Sequence, residues 1–360
     1  MFDLAIVGGG PAGTAAAMTA SGSGRRVLLV ERGQFPRHKV CGEFVSGESL
    51  GLLQELLGKE SENLLSNAPH ISQARVFFDG GVFEAKISPA ARSIPRFDLD
   101  AALWRGCQTS GVEARAGASV QTITGGAPFQ IVTGSGCFEA RAVVNATGRW
   151  SNLTAAGRRA RAGRQKWIGV KAHFSECSPS NSVDLYFFDG GYCGVQPVAN
   201  AGNGSRTPVN ACAMVRVEVA NTIDGVLEQH PILYARSRAW KALTEPVTTS
   251  PLDFHPAEPV AKGMFQAGDA AAFVDPFIGD GISLALRTGA LAAECAISSL
   301  PNDEALARYS REYERQFGHV FKTSSRLRGF LGWPELVRKP LLCLLARTPF
   351  LTGQIVKMTR

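Results

Sequence analysis

The residues whose types and spacing best suit chemistry are glycines and acids in two separate clusters. In the first, Gly8-x-Gly10-x-x-Gly13 lies between an apolar run at residues 3–7 and an Ala-rich stretch at 11–20, and Glu31 closes a second apolar run at 27–30. This order reads as strand, tight turn, helix and strand. The first glycine permits the turn, the second lets backbone approach a pyrophosphate, and the third lets helix pack closely on strand. Free N–H groups at the helix start, with its partial positive charge, attract phosphates. A carboxylate ending the second strand can accept both hydroxyls of a ribose and would repel a 2′-phosphate, so this site suits FAD or NAD rather than NADP.

The second cluster separates those two. Gly268-Asp269 follows an apolar run at 264–267, and Asp275-Pro276-Phe277 with Gly279-Asp280-Gly281-Ile282 opens a helix-like stretch at 283–300. An Asp after a strand can hold the ribitol chain of a flavin. A glycine-rich helix start can present N–H groups to the flavin N1/C2 carbonyl region, where the reduced ring is negative. The two clusters together predict FAD. With a single dinucleotide fingerprint, no second bound nucleotide is expected; NAD(P)H is expected as an electron donor that docks transiently.

Between the clusters, Cys41-Gly42-Glu43 lies in a loop after the second strand. Cys41 is the candidate catalytic group, as a proton donor or oxidisable thiol, if a neighbouring base or dipole acts on it. Glu43 is either an acid of the site or a solvent-facing residue, and is expected to face solvent unless the site buries it. Arg37 and Lys39 face either cofactor phosphates or water. Histidines at 38, 70, 173, 230, 255 and 319 and the eight cysteines show no metal-ligand spacing, so no metal is expected. There is no Gly-x-Ser-x-Gly elbow and no Gly-Lys-Ser phosphate loop, which disfavours acyl and nucleotide hydrolysis.

These residues must be positioned by a chain of 360 residues, 45% hydrophobic and 19% charged, with 39 glycines and a net charge of +7. That composition excludes disorder, coiled coil and collagen. The basic balance alone does not separate an anionic cofactor from an acidic membrane or nucleic acid; no nucleic acid partner is expected. Scattered thiols suggest a reducing compartment. The start Met-Phe-Asp is not a signal peptide, and no apolar run approaches the roughly 20 residues that span a bilayer, so a cytoplasmic protein is expected. Residues 76–78 and 82–87 flank Asp79-Gly80-Gly81 as a hairpin, 46–57 and 97–109 read as helices, and 166–217 is β-rich. The expected class is α/β. A Rossmann-like FAD-binding domain with a parallel sheet takes 1–70, 92–165 and 259–325. A mixed or antiparallel β-sheet substrate domain takes 71–91 and 166–258, and a helical segment takes 326–360. Leucines and arginines alternate over 327–360, so this segment either caps the core or makes peripheral contact with an anionic membrane.

Residues 3–13, 27–32 and Phe35-Pro36-Arg37-His38-Lys39-Val40-Cys41-Gly42-Glu43 resemble the geranylgeranyl reductase family, within the p-hydroxybenzoate hydroxylase-like FAD superfamily. Ile94-Pro95-Arg96-Phe97-Asp98-Leu99-Asp100 resembles its third landmark, and the Gly268-Asp269 and Asp275–Ile282 segments its fourth. The resemblance implies that Pro11, Ala12 and Arg32 join Gly8, Gly10, Gly13 and Glu31 at the cofactor. It places Arg96 near the cofactor too, with Gly268, Asp269, Gly279, Gly281 and Ile282. It also implies substrate-facing strands carrying Tyr186, Phe188 and Tyr192.

Two departures stand out. Hydroxylases of the superfamily carry Asp-Gly where this chain has Asn145-Ala146-Thr147-Gly148-Arg149, and the reductases commonly show Cys-Gly-Gly where it has Cys41-Gly42-Glu43. The Trp-x-Trp-x-Ile-Pro motif of flavin halogenases is missing. The leading expectation is an FAD-dependent oxidoreductase that reduces carbon–carbon double bonds of a prenyl-like chain, a small apolar substrate. The alternatives are an FAD monooxygenase of aromatic or polyketide substrates and a flavin-less prenyl-binding protein.

Overall fold

Continuous apolar runs at 4–7, 27–30 and 142–144 suit the middle of a parallel sheet, which is covered on both faces. A computed structural model shows this and describes residues 1–149, 153, 166–200, 206–249, 251–252, 254 and 256–331. Phe2–Val7 pairs in parallel with Val27–Glu31 on one side and Gly136–Asn145 on the other, with Ile6 opposite Leu29 and Val144. Met264–Gln266 and Glu113–Ala116 extend the sheet in parallel outwards. The helices Pro11–Gly22 and Gly281–Ala296 pack against each other over one face, around Leu4, Ile6, Leu29 and Val144. Because these strands run in parallel, both glycine clusters come to the same edge of the sheet, where each loop passes into a helix. This is where doubly wound sheets bind ligands.

Among the described residues the second sheet has nine strands, mostly antiparallel, including Trp167–Cys177, Arg206–Arg216, Gly191–Pro197, Ser182–Phe188, His70–Phe78 and Gly81–Ser93. The hairpin expected at 79–81 is there, with Asp79 and Gly80 at φ 50° and 77°, but its strands are longer than the sequence suggested. One face of this sheet buries Val170, Tyr186 and Val209 under the short helices Ile223–Leu227 and Pro231–Ser237. The other carries Tyr192, Met214 and Leu252, packed with Phe187, Phe273 and Phe277. The fold is therefore the expected α/β arrangement with a second, mixed sheet.

The helix Asn302–Leu331 returns Tyr309, Tyr313, Phe317 and Val320 to the main core. Of the 326–360 segment offered as a cap or for membrane contact, residues 326–331 end this helix and 332–360 lie outside the described residues. Among the described residues no helix is long and apolar enough to cross a membrane, and all seven cysteines are free thiols.

Candidate cofactor and substrate site

At the shared sheet edge the chain turns at Gly8, whose φ is +109°, and runs into the helix Pro11–Gly22. A Cβ on Gly13 would lie 1.7 Å from the Gly8 carbonyl oxygen, so only glycine allows the helix this close to the turn. Gly10, by contrast, faces open space. Pro11 takes the first helical position, and no side chain caps the N-terminus. Its N–H groups are left to whatever fills the space in front of them. The second helix start is built alike: Gly279 has φ +78°, Gly281 faces open space, and Asp280 does not cap Gly281–Ala296. The Asp280 carboxylate instead accepts from Ser46 at 2.7 Å.

A single cavity of about 890 Å³ joins the two helix starts. Gly8, Gly10, Pro11, Ala12, Glu31, Arg32, Arg96, Gly268, Asp269, Gly279, Gly281 and Ile282 all line it, and Gly13 supports its floor. Two uncapped helix starts and open glycine backbone fit the pyrophosphate and ring of a flavin dinucleotide. The size suits a cofactor with part of a substrate.

Glu31 is buried, and its carboxylate accepts from the N–H groups of Gly9 and Gly33 at 2.7 Å and from Arg37 at 2.8 Å. Burial would raise its pKa, but Arg37 and the two amides outweigh this and hold it down at about 2. Arg37 is thus bound to Glu31 rather than free for phosphate, and burial pushes the Lys39 ammonium down. Asp269 stands 3.6 Å from Arg149, which also stacks on Phe273 at 4.1 Å. Arg96 forms a two-pronged pair with Asp100 at 2.6 and 2.7 Å. Burial works against its charge, and the Asp100 carboxylate and the neighbouring Cys41 sulfur restore it.

Cys41 lines the cavity, and its sulfur accepts the N–H of Glu43 at 3.3 Å. Glu43 itself departs from expectation. It is fully buried rather than solvent-facing, and it holds φ +61°. Its Oε1 accepts from the Arg96 N–H at 2.8 Å and from Lys171 Nζ, and its Oε2 lies 2.7 Å from His173 Nε2. Burial alone would raise its pKa; the His173 hydrogen bond and the Lys171 ammonium reverse this and lower it. The sequence singles out neither Lys171 nor, beyond its place among six histidines without a metal pattern, His173, because their partner is over a hundred residues away.

The three aromatic candidates separate. Tyr192 lines the cavity, where burial pushes its phenol well up. Tyr186 and Phe188 do not. They lie on the opposite face of the sheet, where Tyr186 stacks on Phe77 at 4.4 Å and accepts from Arg236 at 2.9 Å. The partner of Tyr192 is Phe187, directly opposite it in the strand pairing, with ring centroids 5.4 Å apart. The two-residue turn Asp189-Gly190 fixes that register, and this Asp-Gly pair is the sequence signal that could have found Phe187.

The model of the FAD dependent oxidoreductase family matches residues 3–36. Over 366 residues the chain is 27% identical to menaquinone reductase from Mycobacterium tuberculosis, covering 93% of this chain and 85% of that protein. It is 26% identical over 348 residues to digeranylgeranylglycerophospholipid reductase 2 from Methanopyrus kandleri, covering 89% and 84%. Among solved structures, the flavin-dependent brominase Bmp2 is similar with a TM-score of 0.77 at 19% identity, covering 99% of this chain and 93% of that one. That last likeness shows the fold alone. These relationships agree with the geranylgeranyl reductase-like resemblance, and the chain is an FAD-dependent oxidoreductase.

Proposed function

We propose that this enzyme reduces carbon–carbon double bonds in a prenyl-like apolar chain, with electrons from a nicotinamide donor that binds in passing. The reading rests chiefly on one observation. The cavity that holds both flavin clusters continues, without a break, onto an apolar wall of Tyr192, Met214, Leu252 and Phe273. Near full-length similarity to two proteins named as reductases, of a menaquinone and of a digeranylgeranyl lipid, supports the same chemistry.

Bound FAD would supply the electron pair and one hydrogen as a hydride equivalent. Gly8–Gly13 and Glu31 would hold its adenosine half, and Asp269 with the start of Gly281–Ala296 its flavin half. The apolar wall excludes water and aligns the double bond. Cys41, on the cavity wall beside Arg96, is the proposed proton donor.

The test is anaerobic turnover. Purified protein should be yellow, and under argon it should oxidise NADH or NADPH with a menaquinone or geranylgeranyl lipid. Mass spectrometry should then show two hydrogen atoms added to the lipid chain. Cys41→Ala should retain flavin and lose turnover. Activity that appears only with oxygen would replace reduction by oxygenation, and a colourless protein that refuses FAD would sink the reading.

A further inference from the structure

Addition of hydrogen across a double bond consumes a proton as well as a hydride equivalent, and that proton must reach a cavity walled by apolar side chains. Three buried titratable groups, one at this wall and two behind it, are not used by the proposed flavin site. Glu43 lines the cavity, while Lys171 and His173 project from the same face of Trp167–Cys177 onto its carboxylate. Glu43 and Lys171 are 0% and 1% exposed. Burying such a pair costs several kcal/mol per ion before their attraction is counted, and apolar residues would hold the sheet as well or better (on the order of 1–4 kcal/mol). Holding the sheet together does not explain the cluster.

The cluster also has an outer end. The His38 ring meets the His173 ring edge-on, with centroids 5.8 Å apart, and on its other side packs at 4.9 Å against Phe97, which is 37% exposed. A line of titratable groups therefore runs from the surface at His38, through His173, to Glu43 at the cavity. The charged groups facing it are the cations Lys171 and Arg96 and the carboxylates Glu43, Asp98 and Asp100; the thiols Cys41 and Cys212 complete the set. With His173 neutral the carboxylates outnumber the cations by one. A proton on His173 balances them.

We propose that His173, clamped on Glu43 and reached from solvent through His38, stores the proton that double-bond reduction in this cavity consumes. This rests on the reductase reading above and adds to it. At rest Glu43 is a carboxylate. In the step, the His173 Nε2–H bond breaks as an O–H bond forms on Glu43 Oε2. That O–H bond breaks in turn as the new C–H bond forms on one alkene carbon, directly or by way of Cys41. The second hydrogen and the electron pair reach the other carbon from a reduced flavin as co-reactant. His173 regains its proton from solvent past His38 when the flavin is next reduced, so one proton is taken up there with each electron pair.

The test counts protons in the holoenzyme, with no substrate present. The midpoint potential of the bound flavin is followed by its absorbance from about pH 6 to 8.5, the range in which histidine charge changes. Wild-type protein should take up one more proton per electron pair than His173→Gln or Glu43→Gln, seen as a steeper slope of potential against pH. An unchanged slope in a His173→Gln protein that keeps its flavin spectrum would overturn the proposal. His38→Gln, at a half-buried surface position, covers the case in which the buried variants do not fold. It should keep the wild-type slope and turn over about tenfold more slowly, with imidazole restoring the rate. Full turnover by His38→Gln without imidazole would also overturn it. Wild-type protein that binds no flavin fails at the earlier step and removes this role with it.

Discussion

Glu31→Gln tests the cofactor cradle in the bare protein, because the substitution keeps the shape of the side chain and removes its charge. The carboxylate ties Gly9, Gly33 and Arg37 to the end of the Val27–Glu31 strand. Its pKa is held at about 2 against an ordinary 4.5. Each unit is worth about 1.4 kcal/mol, so the charge contributes at most about 3 kcal/mol to folding at neutral pH. The folded value lies below the unfolded one. The contribution is therefore complete above about pH 5.5 and is lost as pH falls through 4.5 towards 2. Urea unfolding of wild type and variant, followed by tryptophan fluorescence, should show a gap of about 2–3 kcal/mol at neutral pH that falls to about half of that near pH 3. A gap that stays constant across this range would mean the charge is not what holds the turn. No gap at neutral pH would mean that Gln satisfies both amides and Arg37 equally well.

Four further outcomes follow from the same geometry. Gly13→Ala, with its Cβ 1.7 Å from the Gly8 carbonyl oxygen, should force helix and turn apart and lose flavin absorbance even where circular dichroism shows a folded protein. Tyr192→Ala should raise KM or lower kcat for the lipid with flavin retained. Tyr186→Phe should leave both unchanged and cost about 1–2 kcal/mol in urea unfolding, through its lost bond with Arg236. Asp275→Asn acts in the opposite sense to Glu31→Gln. Burial, against the pull of Arg328, pushes the Asp275 carboxyl up from 3.8 to about 7. Because the folded value lies above the unfolded one, wild-type stability falls as pH rises from about 4 through 7, and the variant should be the more stable protein above pH 7 by on the order of 1–4 kcal/mol, the gap closing in acid.

What was legible in the sequence was local. The glycine spacing around residue 8 encodes a turn and a close packing that depend on residues within one β-α-β unit, so the elements and their chemistry could be read together. The second cluster was legible for the same reason, and a parallel sheet brings its loop to the same edge as the first. What depended on pairing was harder. Tyr186 and Phe188 read as aromatic cavity residues, yet the register through Asp189-Gly190 turns them to the helix-covered face and leaves Phe187 beside Tyr192. Strand alternation was available there and decides the matter. The helices Ile223–Leu227 and Pro231–Ser237 are too short to show a period, and only their packing on the sheet defines them. Glu43 was expected in solvent and is buried, because its burial depends on two residues of a strand far along the chain.

That failure is informative about the site. A carboxylate at φ +61° in the interior violates two ordinary preferences at once, for glycine in that backbone region and for solvent around a charge. Where the resembled reductases commonly have glycine, this chain has glutamate, with an ammonium and an imidazole placed to receive it. An apolar or glycine residue there would relieve the backbone and remove the buried charge together. Such conflicts between local rules and the whole fold gather where a protein does chemistry. The proposed flavin cradle would account for the glycines, Glu31 and Asp269; it does not account for Glu43, Lys171 and His173. Glu43 lines the cavity one step from Cys41, with Lys171 and His173 behind it on its carboxylate, and this argues that the cluster serves the half of the proposed reaction a flavin does not supply, which is the movement of a proton.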